Sequence, residues 1–292
     1  LDVKNESIWI CVNLLKSMFV VLPHNLSIEF GAVMGKLLWA FSKKRVDGAE
    51  KRAVKSLGVG VTKARRIVRD SYANLGRSVA EILHMPGADR LDDFVSLSGE
   101  ENLVRAMEAG KGVILLTAHF GNWELLAAYL AVKGYPMNAI GAQQRDSRIT
   151  DLIIETRRKL GVKTISKGFN LKSAVKCLKK GEILGILIDQ DAKDKGIVAP
   201  FLGLPASTPY GPVKMANKLG SKILPVFIVR KDASVRHEIH ILPALENPDG
   251  GSFGADTEKA VVMCNDVLSQ WIRRYPDHWL WLYPRWASTL EK

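Results

Sequence analysis

The chain has 292 residues, 47% hydrophobic and 25% charged, which supplies a sizeable core and excludes a disordered chain. Its 42 Lys and Arg against 30 Asp and Glu give a formal charge of +12, favouring an anionic partner: nucleic acid, an anionic membrane face, or an acidic substrate or protein. Cys11, Cys177 and Cys264 stand far apart without a Cys-x-x-Cys pair. This argues against a disulfide framework or structural zinc and reads as three small buried hydrophobes in a reducing compartment.

The segment "IWICVNLLKSMFVVL", residues 8–22, is broken by Asn13 and Lys16. It falls short of the roughly 20 apolar residues of a spanning helix, and it lacks the basic start and small-residue cleavage site of a signal peptide. A second apolar stretch, "LSIEFGAVMGKLLWAF" at 26–41, runs into Lys43, Lys44 and Arg45. Two amphipathic segments and a basic cluster, with Trp9, Trp39 and Phe41 suited to an interface, read as a membrane-associating unit over residues 1–45. The alternative is a core helical hairpin with a solvated basic turn. Residues 63–85 then carry Ile67, Tyr72, Leu75, Val79, Ile82 and Leu83 at helical spacing, opposite a basic face of Lys63, Arg65, Arg66 and Arg69. Pro86-Gly87 ends that helix.

From about residue 96 short apolar runs alternate with helical periods. Strands are expected at 113–117, 138–142, 162–165, 183–188, 223–229 and 238–242. Helices are expected at 101–109, 123–133, 149–160, 171–180, 212–219 and 257–275. Such alternation predicts an α/β fold, a mostly parallel central sheet flanked by helices. Residues 46–292 form that domain, with a helical lead-in to about 95, and 1–45 are its N-terminal membrane-associating extension.

The stretch "LLTAHFGNWELL", 115–126, passes from strand-like to helix-like around His119, Asn122 and Glu124. In an open parallel sheet, ligands bind beyond the carboxyl ends of the strands, which is where His119 falls. On one continuous helix, residues five apart point about 140° away from each other. His119 and Glu124 therefore meet only if the chain turns between them, and Gly121 permits the turn. A carboxylate on one imidazole nitrogen would fix the tautomer and leave the other nitrogen to take a proton from a hydroxyl. Taken alone, the pattern equally describes a satisfied polar residue at a strand end.

"ILGILIDQD" repeats the topology, a strand running into Asp189, Gln190 and Asp191. If the strands at 113 and 183 are parallel neighbours, these carboxylates emerge on the same edge as His119; otherwise they form a charged turn. No further acidic residue marks a magnesium site, and zinc-helix, Walker and nucleophile-elbow motifs are absent. Arg145, Arg148, Arg157, Arg158, Lys159, Lys193 and Lys195 gather around these loops, as phosphate or oxyanion ligands or as a solvated face. No recognition-helix, zinc-finger or aromatic RNA-binding motif accompanies the charge, so nucleic acid is not an expected partner.

"GKGVILLTAHFGNWELLA", with its His-x4-Glu, resembles the signature of the bacterial lipid A late acyltransferases, in the wider lysophospholipid acyltransferase superfamily. "LIDQD", "STPYGPVKMANKLGSKILPVF" and "YPDHWLWLYPRW" are similar, in order, to further segments of that family, from about residue 105 to 286. The resemblance implies His119 as general base, with Glu124 orienting it. It implies an acyl donor on acyl carrier protein or coenzyme A, a hydroxyl of a glycolipid acceptor such as a lipid A precursor, and neither metal nor cofactor. Asn122 is implied as a positioning residue. Arg157, four residues before Gly161, matches the family arginine with Arg158 as its neighbour, and Arg145, Asp189 and Asp191 are supporting candidates. The implied location is the cytoplasmic face of the bacterial inner membrane, where a +12 protein meets anionic lipid. Other acceptors in the superfamily are phosphatidylinositol mannosides, lysophospholipids and aminolipids. A reading from another class is a non-catalytic basic lipid-binding protein. The tryptophans of "HWLWLYPRW" read as core.

Overall fold

The fold is taken from a computed structural model describing residues 3–141, 145–166, 171–232 and 234–291. The chain opens with four helices, α1 (Val3–Val21), α2 (His24–Phe41), α3 (Lys43–Leu57) and α4 (Val61–Leu83). Apolar and small residues recur every three or four positions in α2, and Ser27, Ile28, Gly31, Ala32 and Gly35 are buried. That face lies on α4 at backbone distance. A Cβ on Gly35 would stand 2.1 Å from the Tyr72 carbonyl oxygen, and one on Gly76 would stand 2.0 Å from that of Gly31. Here glycine is required because two helix backbones touch. The opposite face of α2 leaves Leu26, Val33, Leu37, Leu38 and Phe41 exposed. The expected boundary at residue 45 falls in the first turn of α3. Cys11 is exposed on α1, unlike the buried Cys177 and Cys264, which corrects the reading of all three as core.

The α/β part follows as β1 (Val95–Ser98), α5 (Glu100–Glu108), β2 (Val113–Thr117), α6 (Trp123–Val132), β3 (Met137–Gly141), α7 (Ser147–Lys159), β4 (Lys163–Ser166), α8 (Leu171–Lys179) and β5 (Ile183–Leu187). Next come β6 (Ile197–Phe201), β7 (Leu204–Thr208), α9 (Gly211–Leu219), β8 (Lys222–Arg230), β9 (His237–Ile241) and α10 (Thr257–Arg274). The six expected strands form, with ends displaced by a residue or two; Ala142, the expected end of one, lies outside the described residues. Seven strands make one sheet in the order β1-β9-β8-β2-β5-β3-β4, antiparallel only between β8 and β9. The separate β6–β7 hairpin has Pro200 opposite Pro205, and proline inside an apolar run hides a strand from pattern reading.

Strand β2 is buried throughout, and its alternate residues serve two cores. Ile114 and Leu116 pack with α10 and with Trp279, Trp281 and Trp286, bearing out the tryptophans as core. Val113 and Leu115 pack with Leu125, Leu126 and Leu130 of α6. Strands β2 and β5 are parallel neighbours, Thr117 beside Leu187, so the loops carrying His119 and Asp189 leave the sheet side by side.

The α2–α4 crossing predicts that Gly76→Ala destabilises the protein by about 1–3 kcal/mol through overpacking. Gly60→Ala, which meets nothing within 4 Å, is the control. Thermal denaturation of both variants checks this, and equal midpoints would contradict the crossing.

Candidate active site

After β2 the chain turns within five residues, 118–122. Gly121 takes φ +58°, and a Cβ there would lie 2.1 Å from the Ile228 carbonyl oxygen. Both conditions demand glycine. Asn122 then caps α6, its side-chain oxygen accepting from the Leu125 amide at 3.0 Å. The C-terminal segment pins the turn from its other side: Gly121 N donates to His278 O at 2.8 Å and Leu280 N to His119 O at 3.0 Å.

The carboxylate that meets His119 is Asp189, which corrects the reading that gave this place to Glu124. Asp189 Oδ1 lies 2.9 Å from His119 Nδ1, and Oδ2 accepts from the His119 amide at 2.9 Å and from the Trp279 indole at 2.8 Å. Burial opposes ionisation of Asp189, but the charge of His119 and these donors outweigh it and hold the carboxyl below its ordinary range. With an ionised carboxylate at Nδ1, that nitrogen carries the proton. On the other side of the ring, the Gln190 amide nitrogen lies 3.4 Å from Nε2, and Trp123 packs edge-on at 4.9 Å between centroids.

Glu124 instead engages Arg157 in a two-pronged pair, with both contacts at 2.7 Å. The pair is largely buried and lines the same cavity as His119. Of the two arginine candidates, Arg157 is thus the one in the site; Arg158 is exposed and pairs with Glu155. Arg145 is exposed on the loop between β3 and α7. Asp191 ties down the C-terminal segment, accepting from the amide and hydroxyl of Ser288.

Asn122 is part of a buried charged network. Its amide donates to Glu81 at 2.8 Å, and Glu81 is clamped by Arg230 at 2.6 and 2.7 Å. Burial works against the Glu81 carboxylate, while His237, Arg230 and Asn122 bring its pKa below the ordinary value. Next to Glu81, burial pushes His237 down to about 4. Arg230 also donates its backbone N–H to His278 Nε2 at 3.1 Å, and His278 stacks on Phe120. The His119 turn therefore rests on α4, β8 and the C-terminal segment together. None of Glu81, Arg230 and Trp279 stands out in the sequence as a site residue. The one available signal was the place of Trp279 in a segment the resemblance covers.

His119 and Gln190 stand at a cavity of about 860 Å³. Its walls are mostly apolar: Leu115, Ala139, Ile140 and Leu187 from the strands, Leu126 from α6, Ile153 from α7, Ile82 from α4, and Val12 from α1. A histidine–aspartate pair beside a mostly apolar cavity suits proton transfer next to an apolar substrate.

The family model for bacterial lipid A biosynthesis acyltransferases matches residues 2–288. A phosphatidylinositol mannoside acyltransferase of Mycobacterium tuberculosis is 25% identical over 232 residues, 76% of this chain and 71% of that protein. A lipid A biosynthesis palmitoleoyltransferase of Escherichia coli is 24% identical over 276 residues, 93% and 88% of the two chains. A lipid A biosynthesis lauroyltransferase of the same species is 23% identical over 289 residues, 97% and 92%. With a family match over nearly its whole length, the chain belongs to the bacterial lipid A biosynthesis acyltransferase family and is an acyltransferase.

Proposed function

We propose that this acyltransferase moves a fatty acyl chain from a thioester, on acyl carrier protein or coenzyme A, to a hydroxyl of a glycolipid acceptor such as a lipid A precursor, with His119 as general base. The observation that carries the reading is the oriented imidazole, Nδ1 held by Asp189, in the lining of a mostly apolar cavity. The acceptor hydroxyl gives its proton to Nε2 as its oxygen attacks the thioester carbonyl. The tetrahedral intermediate collapses, the carbon–sulfur bond breaks, and the departing thiolate takes the proton back from the imidazolium. No acyl-enzyme forms, and the imidazolium is stabilised by Asp189. Arg157, held in place by Glu124, is the basic side chain assigned to the oxyanion. The mycobacterial relative supports a phosphatidylinositol mannoside as the alternative acceptor.

Among the described residues no helix is long and apolar enough to cross a membrane. The outer faces of α1 and α2 nevertheless expose Ile10, Leu14, Val21, Leu37, Leu38 and Phe41, next to the basic start of α3. We assign this face to the anionic surface of the bacterial inner membrane, on its cytoplasmic side, as the route by which a lipid acceptor reaches the cavity.

Transfer of a labelled acyl group to lipid tests the chemistry. His119→Ala is expected to lose about 10²–10⁴-fold in rate, and Asp189→Asn, which disturbs the tautomer, up to about 10⁴-fold, both with folds intact by circular dichroism. Full activity in His119→Ala would overturn the mechanism; an active Asp189→Asn beside an inactive Glu124→Gln would return the orienting role to Glu124. For the membrane face, Leu14→Asp with Phe41→Asp is expected to abolish most co-sedimentation with phosphatidylglycerol-containing vesicles. Unchanged co-sedimentation would exclude this face as the contact.

A further inference from the structure

The deep end of the cavity carries an inference that rests on the acyl-transfer reading above. Three adjacent strands line the cavity, among them through Leu115 on β2, Gly185 on β5, and Met137 and Ala139 on β3. The register sets Leu115 beside Gly185 and Gly185 beside Ala139. Leu115 lies two residues, roughly 7 Å, below the carboxyl end of β2, and His119 sits just beyond that end. In this row the middle strand contributes no side chain.

Neither backbone nor neighbours require glycine at 185. Its φ lies outside the left-handed region. A Cβ would stand 3.5 Å from the Asn138 carbonyl oxygen and 3.6 Å from Met137 Cε, ordinary van der Waals distances. Gly121 and Gly76 are different, since there a Cβ would meet backbone at 2.1 and 2.0 Å. Glycine inside a strand weakens it and marks a place where a ligand approaches closely. Although β5 is paired on both sides, Gly185 is only half-buried between the buried Leu184 and Ile186, and it lines the cavity. Met137 is buried two residues deeper along β3, with its methyl group against the open face of Gly185. An unbranched thioether is a floor that adapts to what rests on it.

We propose that Gly185 is a specificity-determining residue for acyl-chain length: its missing side chain opens the deep end of the cavity, and Met137 closes it. A branched side chain at 185 ends the cavity one row higher, and loss of the Met137 side chain lengthens it.

The test uses Gly185→Val and Met137→Ala in the full chain, with thermal midpoints confirming the fold. Each is assayed with saturated acyl thioesters from octanoyl to hexadecanoyl, and binding of the matching free fatty acids is measured by calorimetry. Gly185→Val is expected to lower kcat/KM for the longest accepted chains about tenfold or more while leaving octanoyl nearly unchanged. Met137→Ala is expected to move the preference toward longer chains. An unchanged length profile in folded Gly185→Val, or a loss equal at every length, would overturn the proposal. Fatty-acid binding reads the same length shift without turnover. A protein that shifts its binding profile but transfers no acyl group would support the depth assignment and refute the acyl-transfer reading.

Discussion

The site depends on one buried carboxylate. Asp189 lies two residues beyond β5, the strand paired with the central β2, and takes three hydrogen bonds, two from His119 and one from Trp279. A carboxylate this deeply buried is stable only with its lone pairs satisfied by hydrogen-bond donors. Here one of the donors is the residue whose protonation the proposed reaction uses. The contact thus joins β5, the turn after β2 and the C-terminal segment, and it sets which imidazole nitrogen faces the cavity.

The rest of the fold holds that contact in register. Parallel pairing of β2 with β5 brings the two loops together. The backbone bonds from His278 and Leu280 keep the His119 turn from opening. Beneath it, the Glu81–Arg230 pair fixes the Asn122 amide that caps α6. Breaking one member of such a buried pair leaves an uncompensated charge, which costs about 3–5 kcal/mol. The three layers meet under five residues of loop. The aromatic cluster of Trp279, Trp281 and Trp286 is therefore both core and support: it buries apolar area and supplies the indole that completes Asp189.

Much of this was legible from residue order. Alternation of runs located the sheet, and the rule that ligands bind beyond strand ends picked out both His119 and Asp189 from "LLTAH" and "LIDQD". What spacing did not supply was the pairing. Five residues separate His119 from Glu124 and seventy separate it from Asp189, and only the parallel register of β2 and β5 makes the distant carboxylate the nearer one. Glu124 was on the correct turn with a different partner, Arg157, which lies on another helix. Arg230 and Glu81 were invisible because a buried ion pair has no local signature. Strands β6 and β7 were hidden by Pro200 and Pro205, and α2 read as an amphipathic membrane-associating segment although its glycine face is spent on α4.

The central claim is that Asp189 fixes His119 as the Nδ1–H tautomer, leaving Nε2 as the basic nitrogen. Nitrogen-15 NMR of the labelled histidine at neutral pH measures this directly, with His119 assigned by difference against His119→Ala. The account predicts a protonated, hydrogen-bonded Nδ1 and an unprotonated Nε2, with the pattern lost in Asp189→Asn. A neutral His119 with its proton on Nε2, or a tautomer indifferent to Asp189→Asn, would contradict it.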